Sequence, residues 1–200
     1  MLITHNVLVQ QLTNYKSPKA KITTMIKKGE VVLLKRGFYS TSPSDDLLSI
    51  SAFIFPNSYV SFETALSMYG LIPERVYETT CAGYDLKHNI VYSNDRGRFS
   101  YQYIPKNVFS LGLTLEKNET GAFLLASPEK ALCDELYKRR NIKTISQIEE
   151  LLFENLRLED SIRDLNWEEI SLMIPYYHST TLESLLRWRN YDSKHYIDKT

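Results

Sequence analysis

The stretch Ser17–Tyr39, SPKAKITTMIKKGEVVLLKRGFY, decides how the rest of the chain is read. Ser17-Pro18 has the form of a helix start, a capping serine followed by proline at the first helical position. Ile22, Met25 and Ile26 then recur at helical spacing, and Gly29 stands where a left-handed C-terminal cap belongs. Val31–Leu34 is β-rich, Lys35-Arg36-Gly37 makes a turn, and Phe38–Thr41 resumes as strand. The expected order is therefore helix, then hairpin. The helix carries its polar side chains in two rows. Lys19, Thr23 and Lys27 fall at i, i+4 and i+8, and Lys21, Thr24 and Lys28 form the neighbouring row. Lys19 and Lys21 lie in the first turns, where the helix dipole disfavours cations by roughly a few tenths of a kcal/mol. A phosphate backbone lying opposite would account for them. A lysine-rich helix that merely stays solvated is the plainer alternative.

Working outward, Leu2–Tyr15 reads as a preceding helix, with Val7, Leu8, Gln11 and Leu12 on one face. A helix followed by a basic-tipped hairpin is the outline of a winged helix, whose second helix enters a DNA groove while the wing touches the adjacent backbone. Charge is segregated along the chain. Residues 1–44 contain seven basic side chains and one acid, whereas residues 45–200 contain 17 basic and 23 acidic ones, so a net charge of zero conceals a +6 head on a −6 body. A basic head can face a polyanion, and the body as a whole cannot. The 200-residue chain is 43% hydrophobic, enough for a sizeable core, and its seven Gly and seven Pro exclude collagen-like and linker-rich classes. No run of about 18 apolar residues occurs, so no membrane-spanning helix is expected. With no basic segment before its apolar stretch, the N-terminus does not read as a signal peptide. Two cysteines, Cys81 and Cys133, cannot build a disulfide framework, and a reducing, cytoplasmic compartment is the natural setting.

Thr41–Asp45 is turn-forming and divides a head, residues 1–42, from a body, residues 43–200. In the body, Asp45–Phe55 and Ser61–Tyr69 read as helices. From Tyr77 to Ala126 the period changes to two, with strands expected at Tyr77–Ala82, Ile90–Tyr92, Phe99–Ile104, Leu111–Leu115 and Ala122–Ala126. Helices follow from Ser127-Pro128 onward, at Ile145–Glu154, Trp167–Ile174 and Leu182–Arg189. The expected fold class is α+β: an abbreviated winged helix-turn-helix, then an α+β domain with a mostly antiparallel sheet and a helical C-terminal third.

Other chemistries are less well supported. His5, His88, His178 and His195 are far apart in sequence and form no ligand-spaced pair, so no metal site and no cofactor is expected. Glu74, Asp85 and Lys87 have the outline of a Mg²⁺-dependent nuclease motif, two carboxylates for the metal and a lysine for the phosphate. The acid-plus-lysine pair falls in a turn-like stretch, and such a triplet arises easily by chance in a chain that is 24% charged. Aromatics at Tyr84, Tyr92, Phe99, Tyr101, Tyr103, Tyr176 and Tyr177 suit sheet packing better than stacking on single-stranded nucleic acid. Arg187, Arg189 and Lys194 form a basic row near the C-terminus, which a solvated helix end explains equally well.

Four blocks in order resemble AbiEi-type antitoxins of bacterial abortive-infection toxin–antitoxin systems. They are Ser17–Tyr39, then PNSYVSFETALSMYGLIPE at Pro56–Glu74, RFSYQYI at Arg98–Ile104 and ASPEKALCDELY at Ala126–Tyr137. The resemblance spans about residues 16–137. In the head, the helix between the first helix and the recognition helix is missing or reduced to Tyr15–Ser17, and the segment after Arg140 matches no block. It implies a non-enzymatic transcriptional autorepressor on operator repeats of double-stranded DNA. It also implies an antitoxin role against a nucleotidyltransferase-like toxin, without need of a stable complex. Lys19, Lys21, Thr23, Thr24, Lys27, Lys28, Lys35 and Arg36 are the candidate DNA-binding residues. With no dimer seam visible, the chain is expected to be a monomer in solution that pairs on DNA.

Overall fold

The computed structural model describes residues 1–158 and 160–196. The head begins with a short strand, β1 (Leu2–Thr4), where a helix was expected, and only then enters α1 (His5–Gln11). The apolar Leu2 and Ile3 pair with Ser40 and Tyr39 across an antiparallel ladder, and this tertiary pairing overrides their helical spacing. A six-residue turn leads to α2 (Pro18–Lys27), then β2 (Val32–Lys35) and β3 (Phe38–Ser40). The three strands lie in the order β1-β3-β2. Ile3, Leu8, Leu12, Ile22, Val31 and Tyr39 form a small core of their own between this sheet and the two helices.

The body comprises α3 (Leu47–Ile54), β4 (Ser58–Val60), α4 (Phe62–Met68), β5 (Glu78–Gly83), β6 (Ile90–Asn94), β7 (Gly97–Tyr103), β8 (Leu113–Lys117) and β9 (Ala122–Ala126). Its six strands lie in the order β6-β7-β5-β4-β9-β8. The sheet is mixed, with antiparallel junctions in the majority as expected: β5 with β7 and β4 with β9 run parallel, and the other three junctions are antiparallel. The three-residue β4, too short to show a period, is the strand the sequence does not announce; it joins the two halves of the sheet. Alternation then assigns the faces. Tyr101 points to α3, its hydroxyl donating to Ser51 O at 2.8 Å. On the other face Thr80 meets α4, accepting from the Thr64 amide at 3.0 Å and donating to Ser61 O at 2.8 Å.

Helical layers complete the body: α5 (Pro128–Tyr137), α6 (Ile145–Glu149) running into a π-helical turn (Glu150–Asn155), α7 (Trp167–Met173) and α8 (Thr180–Tyr196). Ser127 caps α5 by accepting from the Lys130 amide, and Thr144 with Gln147 closes a capping box at α6. Trp188 of α8 is fully buried against Phe153 and Trp167. Cys81 and Cys133 are buried, and burial pushes the Cys81 thiol up to about 12. Such thiols serve as small core residues.

A polar cluster sits at the centre of the body. Lys130 and Asp134, one turn apart on α5 and both fully buried, form an ion pair of 2.7 Å. Tyr177 donates to the same carboxylate oxygen at 2.6 Å, while the other oxygen accepts from Tyr59 at 2.9 Å and Ser61 at 2.7 Å. Burial, with the Asp134 charge beside them, pushes both phenols well above their usual range. Ser61 thus spends its hydroxyl on Asp134 and makes no side-chain cap for α4. Asp134→Ala should destabilise the body by about 3–5 kcal/mol, because it strands the Lys130 ammonium. Leu132→Ala, at a fully buried position, should cost about 2–5 kcal/mol through lost burial and the cavity left behind. Urea unfolding checks both, and a Leu132→Ala midpoint equal to the parent's would remove α5 from the core.

Candidate nucleic-acid interface

α2 ends as its sequence requires. Gly29 takes φ +72°, its amide donates to Ile26 O and the Glu30 amide to Met25 O, both at 3.0 Å, which is the bonding of a Schellman cap. At the other end Ser17 makes no side-chain cap, so Pro18 alone marks the start. Ile22 is buried, with Met25 and Ile26 beside it against the head core. Successive residues are about 100° apart on a helix. The opposite arc therefore carries Lys19, Thr23, Thr24, Lys27 and Lys28, all exposed, with half-buried Lys21 at its edge, 5.1 Å from the Tyr15 ring. The two threonine hydroxyls donate back to Lys19 O and Ala20 O at 3.1 Å. Each keeps its acceptor lone pairs and its methyl group outward for a partner.

No basic side chain of residues 1–44 pairs with a carboxylate among the described residues. The head's positive charge is thus internally uncompensated. Its hairpin turns through Arg36-Gly37, with Gly37 at φ +86° as a two-residue turn demands, and Arg36 is exposed at the tip.

Lys35 departs from the expected set. It folds back over the Phe38 ring at 4.2 Å and lies 5.9 Å from the Tyr92 ring of the body, and burial lowers its pKa. The cause is a bulge: Leu34 is the extra residue between the pairs Leu33–Tyr39 and Lys35–Phe38. The bulge turns Leu34 into the body core and frees its carbonyl to accept from Asn94 at 3.0 Å. Lys35 is therefore part of the junction between head and body. The Met1 ammonium adds to that junction by donating to the Asp45 carboxylate at 2.6 Å, as does an edge contact between Phe38 and Phe53.

The nuclease triplet is not assembled. Glu74 precedes β5 and pairs with Arg157 at 2.9 Å, whereas Asp85 follows β5 and pairs with Lys106 at 2.8 Å. At a rise of about 3.3 Å per residue the intervening strand separates the two carboxylates by roughly 15–20 Å, too far to share a metal ion. Among the described residues no group of three or more His, Cys, Asp or Glu side chains is placed to hold a metal. Phe99, Tyr101 and Tyr177 are core residues. In the C-terminal basic row Arg187 donates to Lys143 O at 3.0 Å and Arg189 covers the Trp167 ring at 5.1 Å, so both serve the helical layers. The structure does bring together two histidines that the sequence leaves apart, His88 and His178, on the wall of one cavity in the body. Comparison with known proteins returns no matching family model and no matching curated relative.

The two hairpin cations should separate in a stability measurement. Lys35→Met keeps the aliphatic stem and removes a partly buried charge, so thermal unfolding should show an unchanged or raised Tm. Arg36→Ala, at an exposed tip, should stay within about 0.5 kcal/mol of the parent. A Lys35→Met protein that loses more than about 1 kcal/mol would mean that the ammonium itself holds the junction.

Proposed function

We propose that the chain is a DNA-binding transcriptional autoregulator that acts as the antitoxin of a bacterial toxin–antitoxin system. The observation that carries the DNA-binding part is the exposed arc of α2, where Lys19, Lys27 and Lys28 surround Thr23 and Thr24 with no acid to neutralise them. Two consecutive helices followed by a hairpin, with β1 as the third strand of a 1-3-2 sheet, support reading the head as an abbreviated winged helix. In that reading α2 is the helix that enters the major groove, and Arg36 reaches the flanking minor groove, where a guanidinium suits the negative potential. The antitoxin role against a nucleotidyltransferase-like toxin rests on the resemblance of the four sequence blocks to AbiEi-type antitoxins. The protein binds DNA without catalytic chemistry of its own and works in the cytoplasm. Among the described residues no helix is long and apolar enough to cross a membrane.

The roles divide by chemistry. Lysines contact phosphates and set affinity and register, whereas Thr23 and Thr24 face base edges and set sequence choice. One short helix reads few base pairs, so monomers pairing on repeated half-sites supply operator affinity. A salt titration of operator and random duplex binding tests this. Lys27→Ala and Arg36→Ala should weaken both duplexes alike and reduce the slope of log K against log salt by about 0.9 each. Thr24→Ala should erode the preference for operator with little change in slope. If the two basic variants leave affinity and slope untouched, the head does not bind DNA. Sedimentation showing a tight dimer without DNA would overturn pairing on the operator.

A further inference from the structure

The body carries an excess of six acidic side chains, yet one of its cavities has the opposite sign. It has a volume of about 640 Å³ and lies where the β5–β6 turn, the end of β7, the end of α5 and the start of α8 converge. Lys87, Lys138, Arg139 and Arg140 line it, and no Asp or Glu does. Two of these cations are already engaged: Lys138 pairs with Glu63 at 2.8 Å and Glu135 at 2.7 Å, and Arg139 pairs with Glu135 at 3.2 Å. The side chains of Lys87 and Arg140 form no ion pair or hydrogen bond among the described residues, so their charge is available to a ligand. Thr180 and Thr181, the first residues of the 17-residue α8, open on the same space and add the positive end of that helix. Tyr103, 44% exposed, gives the cavity an aromatic wall, with half-buried Tyr137 beside it.

The geometry points to a nucleotide-binding site, with phosphates held by Arg140, Lys87 and the start of α8, and the base laid against Tyr103. The volume falls within the range of about 300–1,000 Å³ typical of small-ligand clefts. Cationic, planar guanidinium chemistry suits phosphate oxygens, and an aromatic ring accepts any base on its π-face. The site stands apart from the basic face of α2. The head meets the body beside the start of β7, through the bond from Asn94 to Leu34 O, whereas Tyr103 ends that seven-residue strand. The inference therefore does not depend on the DNA-binding reading of the head.

Isothermal titration calorimetry of the full chain with ATP, GTP, CTP, UTP and inorganic tripolyphosphate provides the test. At least one nucleotide should bind saturably, and the Lys87→Ala/Arg140→Ala variant should bind it about tenfold or more weakly. Both side chains are exposed and unpaired, so the variant's Tm should match the parent's. Tyr103→Ala should weaken the nucleotide and leave tripolyphosphate unchanged. Absence of saturable binding by all four nucleotides would overturn the proposal, as would tripolyphosphate binding as tightly as the best of them. So would a double variant that keeps nucleotide affinity but loses operator duplex, since the cavity would then be a second DNA contact.

Discussion

An ion pair with no access to water fixes how the body is assembled. Lys130 and Asp134 are both fully buried, and an isolated charge in such a place would cost several kcal/mol. The pair is tolerable because every strong acceptor site on Asp134 is used, by Lys130, Tyr177, Tyr59 and Ser61. Those partners come from α5, from the short helical turn before α8, from β4 and from the start of α4. One carboxylate thereby sets the relative positions of the sheet and three helical elements. The Lys130 ammonium also lies 5.3 Å from the Tyr59 ring and 4.9 Å from the Tyr177 ring, which spreads its charge over aromatic faces. Apolar residues of the same volume would pack here without demanding one arrangement. The polar set makes misalignment costly, since any shift leaves a buried donor or acceptor unpaired.

The junction of head and body follows from size. Six residues form the head's own core, too little apolar surface to stabilise about 40 residues alone. The bulge at Leu34 answers this by passing one leucine of the wing strand into the larger core, while Phe38 and Lys35 cover the ring surfaces of Phe53 and Tyr92. The hairpin is consequently divided in use. Its base is committed to the body, and its tip, Arg36, stays free. The apolar residues of α2 pack in the head's own core, and Lys19, Lys27 and Lys28 on its arc stay exposed.

Charge is partitioned by location more than by composition. Among the described residues, the cations of the α2 arc, Arg36 at the hairpin tip and Lys87 and Arg140 in the cavity beside α8 form no ion pair, whereas Lys106, Arg98 and Arg163 of the body are held by Asp85, Glu78 and Asp192. The exposed pairs among them, Lys106–Asp85 and Arg98–Glu78, contribute little stability each.

The sequence alone determined the elements whose signals are local. Pro18 and Gly29 bracket α2, Gly37 permits the hairpin turn, Ser127-Pro128 opens α5, and the strand expected at Ala122–Ala126 matches β9 residue for residue. The polar arc of α2 was equally legible, because helical periodicity by itself aligns Lys19, Thr23 and Lys27 in one row beside the apolar stripe of Ile22, Met25 and Ile26. Tertiary structure decided what depends on partners distant in sequence. Leu2–Thr4 is a strand because β3, nearly 40 residues on, offers it a ladder, and β4 exists because β5 and β9 flank it. Lys35 left the candidate interface because a one-residue bulge turned it on to Phe38, and no local propensity encodes which strand absorbs an extra residue. Lys130 and Asp134 can be buried only because Tyr59, Ser61 and Tyr177 converge on them from other elements. The cavity gathers Lys87, Tyr103, Arg140 and Thr180 from four separate elements, and only the packing of α5 and α8 against the sheet brings their side chains to one space.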